Sequence, residues 1–157
     1  MTTTSVTTDQ DAVIAEIQIW APPERVFRAI SDPGQLQQWF TSPECPVKFW
    51  EFEARLDGAY RYETEPGGLV INGIREFKCH GHVTEFDPPK VLAYTWFANW
   101  HDDHTARTVV RWELIPREDG THVRVTHSGL GNLPVARKDY TGGWPGVVEQ
   151  LKKFIER

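Results

Sequence analysis

Cysteines, basic runs and long apolar stretches are all scarce in this sequence, and each scarcity removes a class of protein. Of 157 residues only two are cysteines, Cys45 and Cys79. No CxxC pair or zinc-type spacing can be built from them, so a disulfide scaffold and a zinc module are excluded and two reduced thiols of a cytoplasmic protein are expected. Seventeen Lys and Arg stand against 22 Asp and Glu, for a net charge of −5, and no basic run is present that could track a phosphate backbone. Binding to nucleic acid or to an anionic membrane is therefore not expected. The longest apolar stretch, Val91 to Ala98, falls far below the roughly 20 residues needed to cross a bilayer. The opening MTTTSVTTDQDA has neither the basic n-region nor the apolar h-region of a secretory signal. It reads as a disordered tail over residues 1–12, ahead of one domain over residues 13–157. Gly-x-Ser-x-Gly and GxxxxGK[ST] patterns are also missing, and no cofactor is expected.

Aromatic residues, by contrast, are plentiful. Seven Trp, four Tyr and eight Phe make up 12% of the chain, and rings of this size carry much of the area a core buries. Disorder of the body is excluded on the same ground.

The pattern of apolar residues gives the element order. Val13, Ala15, Ile17 and Ile19 alternate with polar neighbours, which predicts a first strand. Pro22-Pro23 suits the first turn of a helix carrying Val26, Phe27 and Ile30. Asp32 can then cap a second short helix with Leu36, Trp39 and Phe40. From Val47 the period is two, with strands expected at Val47 to Ala54, Ala59 to Thr64, Ile74 to Phe86, Val91 to Phe97, Ala106 to Ile115 and His122 to His127. Short turns of Gly, Pro, Asn and Asp between them imply an antiparallel meander. Helical spacing returns from Gly142-Gly143-Trp144 to Arg157, with Trp144, Val147, Val148, Leu151, Phe154 and Ile155 on one side. The fold class is α+β: a curved antiparallel sheet of about seven strands around a long C-terminal helix, with two short helices after the first strand. A twisted sheet wrapped on one helix closes imperfectly and leaves a cavity.

Several segments carry a resemblance in addition. They are Ala21 to Phe27 with Ser31-Asp32-Pro33, Arg55 to Tyr62, Gly81 to Pro89 with Leu92 and Trp96, Thr121 to Gly129 ending in Thr126-His127-Ser128-Gly129, and Gly143-Trp144-Pro145-Gly146 with Leu151. In this order they resemble the START-like helix-grip superfamily, and within it the family named for the activator of the Hsp90 ATPase. The resemblance covers Val13 to Arg157. It implies the helix-grip fold and a ligand cavity between sheet and C-terminal helix. It also implies, as alternatives, a co-chaperone-like module that stimulates the Hsp90 ATPase in stress response, or an enzyme of cyclase or hydratase type using the same cavity.

Candidate ligand-contacting residues are Trp39, Tyr60, Tyr62, Trp96, Trp112, His127, Trp144, Val148 and Leu151. Apolar walls with a few Tyr hydroxyls and indole N–H groups suit an apolar or aromatic small molecule. The competing reading is a core filled solid by the same rings. His127, in phase with Val123 and Val125, is either a hydrogen-bonding or acid–base group at the cavity or a core His bonded to its surroundings. No catalytic residue is assigned. His80 and His82 share a strand face but make only two of the three ligands a catalytic metal wants. His101-Asp102-Asp103-His104 reads as a solvated surface turn, so no metal is expected. Partners reduce to a small molecule and a possible chaperone, with the chain a monomer or homodimer.

Overall fold

The computed structural model describes residues 2–157. In chain order its elements are β1 (Thr3–Val6), β2 (Val13–Ile19), α1 (Pro23–Ser31), α2 (Pro33–Trp39), β3 (Val47–Phe52), β4 (Ala59–Thr64), β5 (Lys78–Asp87), β6 (Val91–Ala98), β7 (Thr108–Arg117), β8 (Gly120–Ser128) and α3 (Pro134–Glu156). The strands form one antiparallel sheet in the order β1-β2-β8-β7-β6-β5-β4-β3. This is the expected helix-grip architecture with eight strands instead of about seven.

The additional strand lies where a disordered tail was expected. Thr3 pairs with Glu16 and Val6 with Val13, so β1 hydrogen-bonds the otherwise open edge of β2. All four of its residues are exposed, which is why no apolar alternation announced it. The turn after it is tied down by Asp11, whose carboxylate accepts the backbone N–H groups of Gly129 and Gly131 at 3.1 and 3.3 Å.

The two short helices form as their start signals dictate. The Asp32 carboxylate accepts the Gly34 N–H at 3.1 Å and so caps α2. The Trp39 indole donates to the Ala29 carbonyl at 2.8 Å and locks α2 onto α1.

The long helix departs from expectation at its start. It begins at Pro134, eight residues before Gly142, and runs through Gly142, Gly143, Pro145 and Gly146. Proline at the first turn loses no hydrogen bond there. The remaining free N–H groups are met from outside the helix, because Asp102 accepts from Val135 and Ala136 at 3.0 and 2.9 Å. Ala136, Tyr140, Trp144, Val148, Leu151 and Phe154 are its buried residues and form one stripe laid across the sheet.

Candidate functional site

A cavity of about 330 Å³ opens beside the middle of α3. Tyr62 on β4, Phe77, Trp96 on β6 and Trp100 form its inner wall, and Phe40, Thr41, Ser42 and Cys45 close the side next to α2. Leu69 and Ile71, from the loop between β4 and β5, roof it.

Two loops meet at its mouth and are fastened together. Glu65 N–H donates to the Pro46 carbonyl at 2.8 Å, and Leu69 N–H to the Glu44 carbonyl at 3.3 Å. A Cβ at Gly67 would lie 2.1 Å from the Glu44 carbonyl oxygen, so only glycine allows this approach. The Asn72 amide donates to the Trp100 carbonyl at 2.8 Å and pins the far end of the same loop. Ile74, expected in a strand, belongs to this loop, where it bridges only to Ile71.

The helix side of the cavity is built from a second stripe adjacent to the buried one. Asp139, Gly142, Gly143, Gly146, Val147 and Gln150 all line the cavity, at the i, i+3, i+4, i+7, i+8, i+11 positions of one helical face. A Cβ added at Gly142, Gly143 or Gly146 would meet nothing within 4 Å. Each such glycine costs a helix about 0.5–1 kcal/mol relative to alanine. Pro145 further removes the N–H that would have bonded the Thr141 carbonyl. No close packing requires these three glycines, and what they leave behind is space.

The structure divides the expected site residues between cavity and core. Tyr62, Trp96 and Trp144 line the cavity. Trp39, Tyr60, Trp112, His127, Val148 and Leu151 are buried in the packed core. There the Tyr60 hydroxyl donates to the Thr95 carbonyl at 2.6 Å, and the Trp112 indole donates to the Tyr94 hydroxyl at 3.0 Å. The filled-core reading thus describes one end of the sheet and the cavity reading the other.

His127 is fixed by its partners. The Trp144 indole N–H, which can only donate, bonds Nδ1 at 3.1 Å. The Thr108 hydroxyl donates to the Trp96 carbonyl and so accepts from His127 Nε2, 2.9 Å away. The ring is therefore the neutral Nε2–H tautomer with both nitrogens committed. Burial, and secondarily the nearby His101, hold its pKa well below the ordinary histidine value. No nitrogen is left to serve a ligand as acid or base.

His101, expected in a solvated turn, is instead buried, with only 5% of its surface exposed. Its Nε2 lies 2.6 Å from the Tyr140 hydroxyl, which also accepts the Trp96 indole N–H at 2.9 Å. Burial pushes its pKa down to about 4 against the opposing pull of Asp102. Asp102, next in sequence, caps α3, and Asp102, Asp103 and His104 are exposed as expected of a surface turn, so His101 alone of the four packs into the molecule.

Asp139 is the one carboxylate lining the cavity among the described residues. Burial raises its pKa to about 6, with the nearby Trp100 indole opposing the rise. It has no salt-bridge partner among the described residues. The buried Trp100 Nε1–H makes no well-formed hydrogen bond, but it lies close enough to Asp139 and Tyr140 to favour the charged form of each. The Cys45 thiol is pushed up to about 11 by burial and by the Asp139 and Glu44 charges, so it stays protonated and weakly nucleophilic. Among the described residues no three His, Cys, Asp or Glu side chains converge on one point, and no helix is long and apolar enough to cross a membrane.

Comparison with known proteins gives consistent relatives. Residues 20–156 match the family described as activator of Hsp90 ATPase homolog 1-like protein. A search of the curated proteins finds no match. Among solved structures, a protein of Arthrobacter aurescens superposes with a TM-score of 0.79 at 18% identity, over 98% of this chain and 91% of that one. A protein of Mesorhizobium loti gives 0.73 at 28% identity, over 93% and 97%. The AHSA1-like protein of Aeromonas hydrophila gives 0.71 at 18% identity, over 92% of each chain.

Proposed function

This chain belongs to the family of activator of Hsp90 ATPase homolog 1-like proteins, and we propose that it serves as a small-molecule binding protein whose ligand occupies the cavity beside α3. The observation that carries the reading is the glycine-lined stripe of the helix. Three glycines and a proline weaken α3 where it borders the cavity, with no packing contact that requires them. A fold that accepts such a local cost gains room there. The walls suit the role as well, since large rings surround a small number of polar groups. A volume of about 330 Å³ sits at the low end of the range of small-molecule pockets, which favours a compact ligand of one to three rings. With Cys45 and Cys79 both free thiols, we place this activity in the cytoplasm.

The test is native mass spectrometry of the protein purified from its own host, followed by denaturing extraction of whatever accompanies it. A stoichiometric apolar compound is expected, lost from a folded Gly146→Leu variant whose new side chain fills the cavity. A compound retained equally by that variant would place binding elsewhere and refute the assignment.

A further inference from the structure

We infer that the ligand carries a protonated amine on its apolar body, held between the Asp139 carboxylate and the indoles of Trp96, Trp100 and Trp144. The inference rests on the small-molecule reading above and names the chemistry it selects. All three indoles line the cavity. They do not stack: Trp96 meets Trp100 at 85° and Trp144 at 56°, with centroids 6.3 Å apart in both pairs. Rings inclined in this way border the cavity at different angles, and an indole π-face turned toward a cation attracts it.

The charge inventory selects the sign. Among the described residues no Lys or Arg side chain lines the cavity, so a carboxylate or phosphate ligand would find no counter-charge and would be repelled by Asp139. A neutral apolar ligand would strip water from Asp139 and give nothing back, an expensive outcome for a carboxylate. An ammonium group corrects this, since a charge-assisted hydrogen bond to the carboxylate replaces the lost hydration. The titratable neighbours of Asp139, the Cys45 thiol and the Tyr140 phenol, are both held neutral by burial. Neither competes for the carboxylate as a cation. The Trp100 N–H, which makes no well-formed hydrogen bond, lies beside Asp139 and favours its charged form.

Calorimetric titration of the whole chain with three matched probes tests this: 1-naphthylmethylamine, 1-naphthalenemethanol and 1-naphthoate. Near neutral pH the amine is expected to bind the wild type at least about tenfold tighter than the alcohol, with the naphthoate weakest. In Asp139→Asn, with its fold checked by circular dichroism, the amine is expected to lose affinity and the alcohol to gain it, so that the two bind within about twofold of each other. The amine's advantage should also fade as the pH drops through about 6, where the carboxyl takes up its proton. Alcohol binding as tight as amine binding in the wild type would overturn the inference and leave the small-molecule reading standing. Failure of all three probes to bind would overturn both.

Discussion

The half-buried Asp139 and the fully buried His127 are both titratable side chains, and their surroundings assign them opposite roles. Every polar atom of the His127 ring has a partner, so its contribution is structural. Replacing it by leucine leaves the buried Trp144 N–H without its acceptor, while the Thr108 hydroxyl keeps its bond to the Trp96 carbonyl, and should cost about 2–4 kcal/mol in a denaturant melt. Glutamine offers an acceptor and a donor at similar separation, so His127→Gln should recover more than half of that loss and bind probe ligands as the wild type does. Asp139 works against stability. Its folded pKa of about 6 lies above the ordinary 3.8, so the native state holds the proton more tightly than the unfolded chain. Stability is unaffected below pH 3.8 and declines as the pH rises through 6, by at most about 3 kcal/mol. Asp139→Asn should therefore melt higher than wild type at neutral pH and identically below pH 3.8; an equal melting temperature at every pH would contradict the assigned burial. Which rings would meet a ligand was only partly legible at this scale. Tyr60 and Tyr62 share one strand face, and alternation cannot tell that one ends in the core and the other at the cavity.

At the scale of elements, the strands were legible and the first half of α3 was not. Strands β4 to β8 begin or end within a few residues of where alternation put them, because each has one face against the core and turn residues at its ends. Gly142-Gly143-Trp144-Pro145-Gly146 looks like a helix start by local rules, and the true start is supported by Asp102, a residue 32 positions earlier than Pro134 in the chain. Missing that start concealed Asp139 and Tyr140, and with them the polar half of the site. The glycine stripe gives a test at this scale. Gly146→Ala faces open space and should stabilise the protein by about 0.5–1 kcal/mol, while slightly narrowing the cavity. Gly146→Leu should keep or raise the melting temperature and abolish binding of the naphthalene probes. A stabilised Leu variant that still bound them would show that the stripe does not border the ligand.

Taken whole, the molecule follows the element order of the sequence closely, because a single sheet with one long helix leaves few ways to bury its apolar face. The edge strand β1 was invisible because it contributes backbone pairing and almost no buried side chain. The cavity, too, is a property of the whole: the α2–β3 connection, the β4–β5 loop, β6 and α3 each supply lining residues, and no single segment announces it. Seven tryptophans distributed through the molecule provide a direct readout of where a ligand sits. Trp96, Trp100 and Trp144 line the cavity, Trp112 and Trp39 lie in the core and Trp20 is exposed. The decisive measurement is an NMR titration of the indole N–H resonances with 1-naphthylmethylamine. Saturable shifts are expected at Trp96, Trp100 and Trp144, with Trp20, Trp39 and Trp112 unmoved. Shifts confined to Trp20, or none at saturating probe, would contradict that placement.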